Sequence, residues 1–302
     1  MRRAEALRLM SGLVTASFVT GCGNERCTSY PVPASAGSRS TPTQFGTQIY
    51  QTDDLDRSLS LIAGCGGKAV RIELTGKTDF PDAVCAAAAR ANMRVILLSQ
   101  RVSQPVDPVS YAQDHAALQR RYAQYDPVWE IWNEPNLEFF WGAPPNVDDY
   151  SRLAIATGTA LRAAGARDVW SGGISGLRES WIDRMKANGV FEVMNGCAIH
   201  SYNPACEAYA EYLQLFRHLP AGIVVHTTET CLPSTLIVDQ AGFLREMWYV
   251  HRIFGIPTMI WCEFRDGTAG SSGSYSLPYG LVDANYSRKA SYFAAKALTA
   301  GS

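Results

Sequence analysis

Net charge is the first thing this chain has little of: 27 lysines and arginines against 28 aspartates and glutamates leave a formal charge of -1 over 302 residues. That balance excludes the basic footprint of a nucleic-acid binder or of a protein held broadly on an anionic membrane surface. Histidine is scarce, with five scattered residues. There is no C-x-x-C, no H-E-x-x-H and no grouping of His with Cys at ligand spacing, so no metal site is expected. A phosphate loop of the G-K-[ST] type is missing, and no glycine-rich dinucleotide fingerprint follows the first predicted strand, so no nucleotide cofactor is expected. The segment "SGGISG", Ser171 to Gly176, does not fit the G-x-S-x-G of an acyl-transfer nucleophile. The apolar run Leu9 to Gly21 is too short to span a bilayer comfortably.

That short run has another reading. Arg2 and Arg3 precede it, and a basic start followed by a brief apolar stretch is an export address rather than part of a fold. It ends in "VTGC", which resembles a bacterial lipobox. The resemblance implies a signal peptide over residues 1–21, Cys22 as the acylated first residue of the mature chain, and a lipoprotein anchored to a membrane and facing the periplasm or the cell exterior. An ordinary cleaved signal peptide is the alternative, and both readings export the chain. Residues 22–43, rich in Pro, Ser and Thr, read as a flexible tether. Eight cysteines become seven once Cys22 is set aside, an odd number in an oxidising compartment, so at least one is unpaired or paired outside the chain. Cys231 and Cys262 fall just beyond the ends of two predicted strands that would be neighbours, a placement that allows a disulfide between them.

From residue 44 onward short apolar runs alternate with stretches of helical periodicity, the pattern of repeated β-α units. Eight strands can be counted: "FGTQIY", "KAVRIEL", "MRVILLS", "VWEIWNE", "DVWSGG", "CAIHSY", "GIVVHTTE" and "PTMIWCEF". With 47% hydrophobic residues there is ample core material. The fold class expected is α/β, a single (β/α)8 TIM barrel over residues 44–302, with a monomer favoured. A doubly wound open sheet is the alternative, without its nucleotide fingerprint.

Side chains that act in such a barrel sit at the C-terminal ends of the strands. Glu134, in "WEIWNEPN", closes the fourth strand and Glu229, in "VVHTTETC", closes the seventh. Two converging carboxylates are what a retaining glycosidase requires, one to protonate the departing oxygen and one to attack the anomeric carbon. The residues "WNEPN", "IHSYNP", "TTET", "IWCEFRD" and "YGLVDANYSRKASYFAAKAL" together resemble clan A of the glycoside hydrolases. They are most similar to its branch of β-xylosidases, iduronidases and exopolysaccharide hydrolases. The resemblance implies Glu134 as general acid and base, Glu229 as nucleophile, and Asn133 as a hydrogen-bond partner of the sugar 2-hydroxyl. It implies Arg71 and Tyr202 as groups that keep the nucleophile charged, His200 as a pocket residue, and Trp261 as an aromatic face under the sugar. The plainer alternatives are a structural ion pair for Arg71, satisfied core polar groups for His200 and Tyr202, and barrel packing for Trp261. Trp141 is either a sugar platform or a loop anchor, and Trp129 and Trp132 read as packing residues. "TTETC" departs from the family in carrying Cys231 where a glycine is usual. The expected partner is an oligosaccharide or polysaccharide, cut internally because no accessory domain is seen to wall off the groove. Exo cleavage is the enzymatic alternative, and a polysaccharide-binding lipoprotein that has lost turnover is the non-enzymatic one.

Overall fold

The computed structural model of the chain describes residues 42–99, 104, 106–235, 239–267 and 278–301. The segment read as a signal peptide, residues 22–41 of the tether and Cys22 itself lie outside these. Eight parallel strands close into a barrel in sequence order: β1 (Gln44–Gln48), β2 (Ala69–Glu73), β3 (Arg94–Leu98), β4 (Val128–Asn133), β5 (Asp168–Ser175), β6 (Gly196–His200), β7 (Val224–Thr230) and β8 (Thr258–Trp261). β1 pairs with both β2 and β8, which leaves no open edge. The expected (β/α)8 barrel is the observed architecture, and its strands fall where the apolar runs predict them.

Helices α1 (Leu55–Gly64), α2 (Asp79–Arg90), α3 (Pro108–Tyr122), α5 (Val147–Ala163), α6 (Glu179–Ala187), α8 (Ala205–His218), α9 (Gln240–Phe254) and α10 (Ala290–Ala300) wrap the barrel, with short turns α4 (Glu138–Trp141) and α7 (Val190–Val193) between them. Their starts follow from local chemistry. Asp54, Asp107, Asn146 and Asp239 each accept hydrogen bonds from backbone N–H groups of the first turn, which would otherwise lack partners. Pro108 stands in the first turn of α3, where its missing N–H costs nothing. Among the described residues no helix is long and apolar enough to cross a membrane.

The barrel interior is layered. Its floor is apolar, a buried cluster of Ala69, Ile96, Val128, Trp170 and Ile260 drawn from five strands. His226 lies on Trp170 in a parallel stack, with ring centroids 3.6 Å apart. Side chains two residues apart on a strand share a face, so the next layer up is read directly: Arg71 above Ala69, Glu130 above Val128, Thr228 above His226. All three are buried, and all three are polar. Trp129 and Trp132 point away from this layer. Trp129 donates its indole N–H to Gln119 on α3, and Trp132 donates to the Phe140 carbonyl. Both are packing residues, as their sequence context indicates.

Two histidines outside the polar layer are held neutral. Burial drives the His226 imidazole down to about 3 and that of His251, on α9, down to about 4. In the unfolded chain both titrate near the ordinary value of about 6.5. Below that pH the unfolded state takes up protons at these two histidines, and at His115, whose imidazole burial also lowers, that the folded state refuses. Stability is therefore expected to fall from about pH 6.5 toward pH 4, by up to roughly 1.4 kcal/mol per pH unit for each histidine once the unfolded form is fully protonated. Urea midpoints at pH 7, 6 and 5 measure this, and His251→Gln should flatten the slope even though it lowers the absolute stability.

Candidate active site

Arg71 organises the top of the polar layer. A guanidinium carries five N–H donors in a fixed fork, and here all five have partners. Nε donates to Glu130 Oε2 at 2.7 Å, and one Nη2 hydrogen to Glu130 Oε1 at 2.9 Å. The other goes to Asn133 Oδ1 at 3.0 Å. Nη1 donates to Glu229 Oε1 at 2.6 Å and to Gln48 Oε1. Arg71 is wholly buried, so its charge is held by these contacts rather than by water. Arg71 therefore makes the structural ion pair with Glu130 and also touches Glu229.

Glu130 is the residue that sequence reasoning missed. Besides its two bonds from Arg71, Oε1 accepts from the Thr228 hydroxyl at 2.9 Å and from the Gly173 N–H at 3.1 Å. Burial opposes its charge, but Arg71 and His200 outweigh that and hold the carboxyl down at about 2. The available signal was a lone glutamate inside the apolar strand "VWEIW", two strands away from an equally isolated arginine in "AVRIE".

Glu229, near the end of β7, accepts from Arg71 on one oxygen and from the Tyr202 hydroxyl on the other. Burial raises its carboxyl, whereas His200, Arg71 and the Tyr202 hydrogen bond lower it, and the net direction is down. Tyr202 is aimed by its loop: Ser201 and Asn203, on either side, both donate to Glu211 of α8, at 3.1 and 2.7 Å. Glu134 follows β4 directly. It is reached by His200, whose Nδ1 lies 2.9 Å from Glu134 Oε1 and 3.5 Å from Glu229 Oε2, while Nε2 stands 3.7 Å from Glu130. Burial opposes a charged imidazole, but Glu229, Glu130 and Glu134 surround it and push it up to about 10.

Single ligand atoms from Glu134, His200 and Glu229 all lie within 4.8 Å of one another. A metal ion could use such a trio, but the Nδ1 to Oε1 contact has the length and partners of a hydrogen bond already made. Asn133 commits its carbonyl oxygen to Arg71, which leaves the amide NH2 as the donor end.

The backbone departs from regular strand to build this. Trp132 and Glu134 have φ of 77° and 43°, conformations that side-chain-bearing residues enter at a cost. Two glycines of β5 make room. A Cβ on Gly172 would stand 2.5 Å from the carbonyl oxygens of Ile131 and Trp132, and one on Gly173 would stand 2.0 Å from His200 Nε2. The Glu134 N–H is in turn held by the Gly173 carbonyl at 3.0 Å. "SGGISG", excluded as a nucleophile turn, is thus the wall against which Glu134 and His200 are set.

The two tryptophans expected near the sugar are both covered. Trp261 is fully buried, donates its indole N–H to the Tyr279 carbonyl at 2.8 Å and packs against Phe243. Trp141 is buried between Trp132 and Tyr150. In this structure each has the packing contacts of the plainer alternative. Cys231 and Cys262 are both free thiols, so the disulfide allowed by their placement is not formed. Cys206, by contrast, is disulfide-bonded.

No family model matches the chain, and no curated protein does. Solved structures do resemble it. A family 39 glycoside hydrolase from Bacteroides cellulosilyticus WH2 superposes with a TM-score of 0.71 at 18% identity, over 86% of this chain and 64% of that one. A GH39 β-xylosidase from Caulobacter crescentus gives 0.68 at 16% identity, over 87% and 72%. A GH30 endoxylanase from Clostridium papyrosolvens C71 gives 0.60 at 12%, over 87% and 72%. The chain therefore has the parallel eight-stranded barrel found in GH39 and GH30 glycoside hydrolases, and it spans about two thirds of the length of the first of these.

Gly173→Ala tests the site independently of any substrate. The added methyl should push the His200 ring away from Glu130 and Glu134, so that its titration, followed by NMR of the ring nitrogens, falls from about 10 toward the ordinary value of about 6.5.

Proposed function

We propose that the chain is a retaining glycoside hydrolase that cleaves internal linkages of a cell-envelope or extracellular polysaccharide. The observation that carries this reading is a pair of neighbouring carboxylates with different partners, Arg71 and Tyr202 for Glu229 and His200 for Glu134. A carboxylate oxygen of Glu134 and one of Glu229 lie within 4.8 Å. So close an approach of one oxygen from each carboxylate is compatible with the roughly 5–5.5 Å between carboxyl groups that direct attack uses.

The division of labour follows from the contacts. Glu229 is held ionised by Arg71 and Tyr202 and so attacks the anomeric carbon, forming a glycosyl-enzyme ester. Glu134 gives its proton to the departing oxygen and then takes one from the water that hydrolyses the ester. His200 Nδ1 lies 2.9 Å from Glu134 Oε1 and holds that carboxyl in position for both transfers. The Asn133 amide is free to donate to a sugar hydroxyl beside the bond being cut, a contact that can strengthen as charge develops on the ring.

Glu229→Ala is expected to abolish turnover of every glycoside. Glu134→Ala should lose roughly 10²–10⁴-fold on substrates with poor leaving groups and far less on aryl glycosides whose leaving group departs unaided. Rates on matched aryl and natural substrates, with products of a polysaccharide panel sized by chromatography, decide between readings. Internal cleavage gives a ladder of oligosaccharides, exo cleavage a single small sugar, and a receptor that has lost turnover gives binding with no product.

Export and lipid anchoring through Cys22 are proposed from "VTGC" with its basic, apolar lead. Two or more acyl chains give stable attachment where one does not. The expressed protein should sediment with membranes, and Cys22→Ser should release it or leave it unprocessed; a fully soluble native protein with an unmodified N-terminus would contradict the anchor.

A further inference from the structure

The ends of β7 and β8 bring two reduced thiols together at the edge of the catalytic cleft. Thr230 and Trp261 are register partners, and the Cys262 N–H donates to the Thr230 carbonyl at 3.3 Å. The next residue on each strand, Cys231 and Cys262, therefore leaves the sheet side by side. Adjacent strand backbones are about 4.8 Å apart, within the roughly 4.4–6.8 Å between α-carbons that a disulfide spans. Both thiols are free and close enough to interact; burial, the Cys262 sulfur and the Glu229 carboxylate push the Cys231 thiol well above its ordinary range, so Cys231 acts as the second thiol through proximity and not as the one that meets the reagent.

Exposure separates the two. Cys231 is buried, while Cys262 is partly exposed. Its surroundings are those of the cleft: Tyr50 and Tyr202 both feel it electrostatically, as both feel Glu229. The other free cysteines among the described residues, Cys65 at the end of α1, Cys85 in α2 and Cys197 in β6, are all buried. Of the free cysteines among the described residues, a reagent entering from solvent thus meets Cys262 first, with Cys231 behind it.

We propose that Cys262 is a modification site for small organic disulfides, with Cys231 as its resolving thiol. In the first step Cys262 loses its proton, its sulfur bonds to one sulfur of the reagent, and the reagent's S–S bond breaks to release one thiol. In the second, Cys231 loses its proton and attacks the Cys262 sulfur, which expels the second thiol and closes a Cys231–Cys262 disulfide. Two cysteine thiols are oxidised, one reagent disulfide is reduced to two thiols, and the two protons pass to the released thiolates. On the hydrolase reading, the bridge ties the strand end that carries Glu229 to the one that carries Trp261, so turnover should stop and return when a dithiol reductant is added.

The test uses the full native chain and dithiobis(nitrobenzoate), a disulfide whose released thiolate is coloured. Expected are two coloured thiolates per chain in the fast phase, a product two hydrogens lighter with no label retained, and a linked Cys231–Cys262 peptide on digestion. Cys231→Ser should release one thiolate and keep one label, and Cys262→Ser should show no fast release, with circular dichroism confirming that both variants fold. The proposal is overturned if the wild type shows no fast release, if Cys65, Cys85 or Cys197 is modified first, or if Cys231→Ser still sheds its label. These readouts need no substrate, so a chain that exchanges disulfides but cleaves no glycoside would sink the hydrolase reading and leave this one standing.

Discussion

The buried pairing of Arg71 with Glu130 is the interaction on which the rest of the site depends. Removing a guanidinium from water costs several kcal/mol unless every donor finds a partner. Arg71 meets that condition with five acceptors on four residues, two of which, Asn133 and Glu229, also line the top of the polar layer beside Glu134 and His200. A charge that must be satisfied for the barrel to close thereby fixes where the reactive groups stand. The site is assembled as a by-product of folding, and no substrate contact is needed to set its geometry.

The same pairing explains why three carboxylates can share one small volume. Glu130 and Glu229 would repel each other across an apolar barrel, but Arg71 lies between them and bonds both. His200 supplies the second cation and approaches all three carboxylates from the β6 side. Coulomb terms at such distances are strong in a site screened from water, so each group's protonation is set by its neighbours more than by the solvent.

How much of this could be read from the chain alone differs by residue. The barrel was legible because eight apolar runs alternate with helical periodicity, and Glu134 and Glu229 were legible because both close strands. Glu130 was not, since its partners Arg71, Thr228 and the Gly173 N–H come from β2, β7 and β5, so only the closed barrel shows that it is paired. Gly172 and Gly173 acquire meaning only beside the β4 carbonyls and the His200 ring, which come from other strands. Whether Trp261 shows a face to the cleft was equally hidden, because its cover includes Phe243 and the Tyr279 carbonyl, from segments distant in the chain. For Cys231 and Cys262, adjacency follows from strand register, but oxidation state does not.

The left-handed backbone at Glu134 carries a lesson about selection. A glycine would adopt φ near 43° without the penalty that a side chain brings there. The chain keeps a glutamate at a position where its backbone would be better served by a residue with no chemistry at all. The backbone's preference and the side chain's contact with His200 pull in opposite directions at this one point, and a screen for heat resistance alone weighs both without regard to what the carboxylate is for.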